Sequence, residues 1–251
     1  MSLEDYLVGV LACEMPASFN KEALKAGAVA ARTFYYYMEL SLVDYIAVSS
    51  DQCYISIDEM QDKWGEKFQN YYNFLKDAVK ETNDEVLYYE ENIIKSFYFS
   101  LSNGKTENSS SVFGEELPYL VTVDSIWDKN INNFEVKVTM SLEEFINKLE
   151  IVNTQNIEIK NIIRDSSNRV DKLQINDNYY TGVEVRKLLG LRSTDFDIII
   201  SNNTVTLVTR GYGHGVGMSQ YGANEMAKMG YTYEEILKYY YTGVELKKYC
   251  V

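Results

Sequence analysis

The chain has 251 residues, ample for a buried core and for one large domain or two modest ones. Its 24 Lys and Arg against 37 Asp and Glu leave a net charge of −13, which argues against non-specific nucleic-acid binding, since that rests on cations neutralising phosphates. Apolar residues at 46% and charged residues at 24% are ordinary globular values and exclude general disorder, while 2 prolines argue against long rigid linkers.

His214 is the only histidine, whereas zinc sites draw on several His and Cys in tight spacings. Cys13, Cys53 and Cys250 lie far apart, so there is no C-x-x-C signature. Three cysteines allow at most one bridge, and its geometry is not legible from sequence. The longest small apolar stretch, 26–31, meets Arg32 and falls far short of the roughly 20 residues of a membrane span. No signal peptide is expected, because Met1-Ser2-Leu3-Glu4 opens directly into a patterned helix. Two origins stay open: a cytosolic protein, or the soluble part of an exported one.

Ser2 with Asp5 reads as a helix start, and Leu3, Tyr6, Leu7, Val10 and Leu11 carry helical spacing up to Pro16. A second helix is predicted from about Asn20 to Leu40. Its face of Ala23, Ala26, Gly27, Ala30 and Ala31 is small enough for another backbone to come close. Ser49 to Asp58 reads as a polar connector, and Lys67 to Thr82 as an amphipathic helix. Strands are expected over 86–89 and 93–99 around a turn at Glu91-Asn92, then a turn at Asn103-Gly104. Phe134 to Val138 alternates as a strand, and Ser141 with Glu144 opens a short helix. From about 135 to 204 short strands mix with a helical piece near Val183–Leu189. Val205 to Thr209 is a predicted strand. The glycine-rich run Gly211 to Gly217 follows, then helices over 219–229 and 233–240. Helices and strands without strict alternation indicate an α+β fold. The expected cleft lies between the helical N-terminal part and the glycine-rich C-terminal segment. Residues 1–130 with 205–251 would form a catalytic core, and 131–204 an inserted smaller α+β lobe.

Glu14 is the most informative residue. It follows Val10 by four, Leu11 by three and Leu7 by seven, offsets that share the apolar helix face. The solvent side already holds Glu4 and Asp5. An inward carboxyl at the last helical turn is held protonated by burial and by the negative end of the helix dipole. General-acid cleavage of a glycosidic bond needs such a group. The plainer alternative is a Glu at the edge of the core that reaches water or pairs with Arg32.

His214 sits among glycines that suggest tight packing or positive φ. It reads equally as a hydrogen-bonded structural group and as a cleft acid, base or donor. The run does not fit the dinucleotide fingerprint. A Cys13–His214 nucleophilic pair is disfavoured, because a helix C-terminus opposes thiolate formation. The tyrosine clusters at 35–37 and 239–241 suit core and rim better than a sugar platform.

Several segments taken together resemble the stage II sporulation protein D family. They are Leu3-Glu4-Asp5-Tyr6-Leu7-Val8-Gly9-Val10-Leu11-Ala12, Glu14-Met15-Pro16-Ala17-Ser18-Phe19, and Ala23-Leu24-Lys25-Ala26 with Ala28-Val29-Ala30-Ala31-Arg32-Thr33. Ser102-Asn103-Gly104-Lys105-Thr106-Glu107-Asn108, Leu117-Pro118-Tyr119-Leu120 and the block from Gly213 to Ala223 continue the match. The resemblance implies a peptidoglycan lytic transglycosylase acting during engulfment in sporulation. Such an enzyme cuts the β-1,4 bond between N-acetylmuramic acid and N-acetylglucosamine and leaves a 1,6-anhydro sugar. It implies glycan strands stripped of stem peptides as substrate, and a partner amidase, stage II sporulation protein P. It also implies an extracytoplasmic location with an N-terminal membrane anchor, of which this chain would be the trimmed ectodomain.

By the same resemblance the catalytic residue falls on Glu14. Arg32 falls on an arginine that holds substrate or steadies the negative site. His214, Ser219, Gln220 and Tyr221 would line the same cleft, with Ser102, Asn103 and Thr106 as weaker candidates. Some relatives hold zinc through His and Cys in the loop after the second helix. Here that loop offers only Cys53 and no histidine, so no zinc and no other cofactor are expected. The alternatives are a glycan-binding or amidase-enhancing module, and a hydrolase that uses water.

Overall fold

The computed structural model describes residues 1–40, 52–151 and 157–249. They form an α+β protein in two compact units. The first comprises Met1–Ser100, Pro118–Val121 and Gly217–Val251, and the second Leu101–Leu117 and Thr122–Val216. The second unit therefore takes in 101–117, 122–130 and 205–216 as well as the stretch 131–204 expected as a lobe.

In the first unit, α1 (Leu3–Glu14) starts where the Ser2 hydroxyl accepts from the Asp5 N–H and ends at Met15 before Pro16. Helix α2 (Lys21–Leu40) buries Ala23, Ala26, Gly27, Ala28, Ala30 and Ala31. A Cβ on Gly27 would lie 3.0 Å from Leu11 Cδ2 and would strike Met15 Sδ, so the small face is what lets α1 pack this closely. Helix α3 (Ile57–Trp64) begins with a reciprocal cap between Ser56 and Glu59. The sequence reading carried the polar connector to Asp58, but residues 57 and 58 open this helix; 41–51 lie outside the described residues. A 3-10 turn (Gly65–Lys67) leads into α4 (Phe68–Glu81), which buries Leu75, Ala78 and Val79.

Strand β1 (Glu85–Tyr89) turns into β2 (Asn92–Ile93) and pairs on its other edge with β11 (Glu245–Lys248). The turn lies at Glu90 and Glu91, one residue earlier than expected, with φ of 46° and 65°. Of the expected strand 93–99, only Ile93 and β3 (Tyr98–Phe99) join a ladder. Strand β3 pairs in parallel with β10 (Met218–Ser219). Gly217 precedes β10 with φ of 79°, and a Cβ there would meet the Phe97 carbonyl, so only glycine allows this approach. Helices α8 (Gln220–Lys228) and α9 (Tyr233–Tyr240) follow.

In the second unit, α5 (Ser109–Phe113) and a 3-10 turn (Ile126–Asn130) precede β4 (Glu135–Ser141) and α6 (Leu142–Lys148). Strands β5 (Ile159–Arg164), β6 (Val170–Ile175) and β7 (Asn178–Thr181) form an antiparallel sheet before α7 (Gly182–Leu189). Strands β8 (Phe196–Ser201) and β9 (Thr204–Arg210) complete a second sheet in the order β4-β9-β8. Phe145, Leu173, Val185, Phe196 and Leu207 share its core.

No helix among the described residues is long and apolar enough to cross a membrane.

Candidate active site

Glu14 ends α1 on the face that its spacing predicts. Val10, Leu11, Met15, Gly27, Ala31, Met218 and Tyr98 surround a small void on its inner side. The carboxyl does not pair with Arg32. Its Oε1 accepts from the Cys53 backbone N–H at 3.0 Å, and its Oε2 from Gln220 Nε2 at 3.3 Å. Burial raises its pKa above the ordinary carboxylate value, while the two hydrogen bonds from Cys53 and Gln220 pull the other way. Burial wins.

A layer of polar groups sits behind the acid. Gln52 is buried, accepts from the Tyr6 hydroxyl at 3.2 Å and donates to the Ala31 carbonyl at 3.1 Å and to the Tyr98 hydroxyl at 3.4 Å. Burial, with the Glu14 carboxylate next in size, pushes the Tyr98 hydroxyl far above its usual range.

Outward, Glu14 opens on a cavity of about 480 Å³. Pro16, Ala17, Ser18, Ser100 and Gln220 line it, together with an aromatic wall of Trp64, Tyr71 and Tyr221. Trp64 and Tyr71 meet edge to face at 5.5 Å, and Tyr221 meets Phe19 the same way at 5.0 Å. Lys63 Nζ, on the same rim, donates to the Ala12 carbonyl at 2.8 Å and so caps the end of α1. An acid, hydrogen-bond donors and aromatic faces are the equipment of a sugar-binding trench.

Gln220 and Tyr221 line the same cavity as Glu14. Ser219 stands behind them: its hydroxyl accepts from the Gly222 N–H at 3.1 Å, capping α8, and reaches the Ser100 carbonyl at 3.5 Å. It is fully buried and shapes the wall without facing the cavity.

Arg32 is placed otherwise than the resemblance implied. Its guanidinium is 0% exposed. It donates to Glu4 through Nε at 3.0 Å and Nη2 at 2.8 Å, and to the carbonyls of Val79, Thr82 and Glu85. Its Nε and both terminal nitrogens are engaged inside the protein, and the arginine ties α1 to the C-terminal end of α4 and the start of β1. Glu4, read as a solvent-facing residue, is its ion-pair partner.

The remaining candidates belong to the second unit. Ser102 is buried, with its hydroxyl accepting from the Gly104 N–H. Asn103 donates to Asp195 and to the Ser167 carbonyl, both at 2.8 Å. The Thr106 hydroxyl accepts from the Val123 N–H at 2.8 Å. These hydrogen bonds brace the turns of this stretch. His214 Nδ1 accepts from the Val216 N–H at 3.1 Å, and its ring meets Phe113 edge to face at 5.4 Å. Its neighbours Gly211, Gly213, Gly215 and Gly217 all take positive φ.

Three contributors escaped the sequence reading. Trp64 and Lys63 lie on α3, to which the sequence reading assigned no helix beyond the connector's end at Asp58, although Ser56 with Glu59 carried a legible capping signal. The third is Cys53, which is disulfide-bonded to Cys13 with Cα atoms 5.6 Å apart. With that sulfur engaged, Cys53 is not free to ligate a metal ion. Cys250 lies outside the described residues.

A family model described as stage II sporulation protein matches residues 1–89. The chain is 39% identical to stage II sporulation protein D of Bacillus subtilis (strain 168), over 98% of this chain and 74% of that protein. It is 38% identical to stage II sporulation protein D of Bacillus amyloliquefaciens over the same shares. It is 27% identical to the amidase enhancer of Bacillus subtilis (strain 168), over 97% of this chain and 40% of that protein. The chain belongs to the stage II sporulation protein D family.

Proposed function

We propose that this protein is a peptidoglycan lytic transglycosylase with Glu14 as its single acid–base catalyst. The observation that carries the reading is a carboxyl whose burial favours the protonated form and which opens on an aromatic-walled cavity of about 480 Å³. The protonated carboxyl would donate to the glycosidic oxygen as the C1–O bond breaks, releasing N-acetylglucosamine with a free 4-hydroxyl. The resulting carboxylate would accept the proton of the muramic C6 hydroxyl as that oxygen bonds to C1. The product is a 1,6-anhydro end, and Glu14 finishes protonated. One carboxyl serves both steps, unlike the paired carboxylates of the common glycoside hydrolases. Gln220 and the Cys53 N–H would steady the charged intermediate form. The substrate would be glycan strands cleared of stem peptides by an amidase, outside the cytoplasm during engulfment.

A second reading is an amidase-enhancing or glycan-binding module, favoured by the similarity to a protein named amidase enhancer. Mass spectrometry of digested glycan strands, stripped and unstripped, separates the readings. Anhydro-muramic ends support the transglycosylase. New reducing ends mean a hydrolase using water, and no new ends mean a binding module.

A further inference from the structure

The segment that contacts Glu14 reaches it by an unusual route. Cys53 is exposed and Gln52 is buried, so the chain dips toward the acid over two residues. Besides the hydrogen bonds of Gln52 with Tyr6, Ala31 and Tyr98, three ties hold it there. Cys53 is bonded to Cys13, the residue that precedes Glu14. The Ile55 N–H donates to the Gly9 carbonyl at 3.3 Å. A Cβ on Gly9 would strike the Tyr54 ring and lie 2.8 Å from the Ile55 carbonyl, so the segment lies directly on α1. Of the three ties, the disulfide is covalent, and its outer sulfur belongs to an exposed residue.

We propose that the Cys13–Cys53 disulfide is a positioning element for Glu14: it holds the Cys53 backbone N–H against Oε1, and reducing it frees the carboxyl from that contact. The proposal deepens the catalytic reading of Glu14 and rests on it for its effect on cleavage, though not for its effect on the carboxyl itself. The chemistry is a two-electron reduction by a dithiol. The S–S bond breaks, each sulfur gains a proton, and the dithiol closes to its own cyclic disulfide. A hydrogen bond donated to a carboxylate favours the charged form, so its loss favours the protonated acid. The other titratable side chains around Glu14 are Tyr6 on α1, Lys63 on α3, Tyr71 on α4, Tyr98 beside Gln52, and Tyr221 on α8. None of them contains or donates through the bond being broken.

The test compares the oxidised protein, the protein reduced by dithiothreitol, and the double variant Cys13→Ser, Cys53→Ser, all carrying Cys250→Ser so that one pair alone can exchange. Carbon-13 NMR follows the Glu14 carboxyl titration, and amide spectra show that each form stays folded. Cleavage of stripped glycan strands is measured across pH. In both forms that lack the bridge, the Glu14 midpoint moves up, and the alkaline limb of cleavage moves up with it. Turnover falls by about tenfold or more as the acid loses its fixed orientation, with KM little changed. A shifted midpoint without a shifted cleavage profile supports the positioning role and counts against Glu14 as the acid. An unchanged midpoint in folded, bridge-free protein overturns the proposal.

Discussion

Gln220 Nε2 donates to Glu14 Oε2 across 206 residues of sequence. The contact joins the end of α1 to the start of α8, and two backbone features make it possible. Gly217 lets β10 lie against the Phe97 carbonyl, and Ser219 then caps the next helix. Gln220, as the first residue of that helix, is aimed at the carboxyl. The acid is therefore held from both sides, by a side chain from the C-terminal region and by the Cys53 N–H.

Glu14→Gln is expected to lower glycan cleavage by about 10²–10⁴-fold, the usual worth of a general acid. An amide keeps an oxygen for the Cys53 N–H, so the fold is retained. Cleavage by the variant at the wild-type rate would remove Glu14 from the reaction.

The same substitution has a signature in stability. The folded chain binds the Glu14 proton more tightly than the unfolded chain, whose value is ordinary, near 4.5. The stability linked to that proton is complete below this pH and is lost as pH rises toward the raised folded value. Glutamine does not titrate. The variant's Tm, measured against wild type, should therefore gain across that window and stay level above it. A difference independent of pH would mean that the carboxyl is not held protonated.

Gln220→Leu removes one donor from the charged form and adds apolar surface, and both changes favour the neutral acid. The fall of cleavage with rising pH is thus expected at higher pH than in wild type. A profile displaced toward lower pH would contradict the assignment of the Glu14–Gln220 bond.

The inward face of Glu14 was legible because helical periodicity is local: three apolar residues at offsets of three, four and seven define one side. The caps at Ser2 and Ser141 are equally local, each needing only a residue three positions on. Partners are not local. Arg32 meets Glu4 because α1 crosses α2, and no spacing within either helix reveals that. The Cys13–Cys53 bridge has the same character, since three cysteines leave the pairing open. Helix α3 was missed for a different reason. It is eight residues long and mostly polar, with Met60 as its one buried residue, so its apolar periodicity is faint.

Arg32→Met should be a stability variant before it is an activity variant. It leaves Glu4 without its cation and takes one donor from each of three carbonyls, of which those of Val79 and Thr82 still accept from the Thr82 and Glu85 N–H groups. Breaking such a buried pair costs about 3–5 kcal/mol, with the lower end favoured here because Glu4 is one-third exposed. Against a total stability of about 5–15 kcal/mol, the loss is large. Denaturant titration would register it as a lower midpoint. Unchanged stability with a raised KM would instead mean that the arginine reaches substrate.

Trp64→Ala tests whether the aromatic wall binds sugar. The indole packs edge to face on Tyr71 at 5.5 Å and presents its remaining surface to the cavity beside Glu14. A pyranose ring has an apolar face of C–H groups that an indole can cover. Removing that contact should cost about 1.4 kcal/mol, or tenfold in affinity. Because the contact is made equally before and during bond cleavage, the loss should fall on KM and leave kcat nearly unchanged. The distribution of anhydro ends should not change, since the acid is untouched. Equal affinity of wild type and variant for soluble glycan oligomers, measured by calorimetry, would show that the strand runs along another wall. A fall in kcat at constant KM would instead mean that Trp64 acts through the neighbouring Lys63 cap on the end of α1.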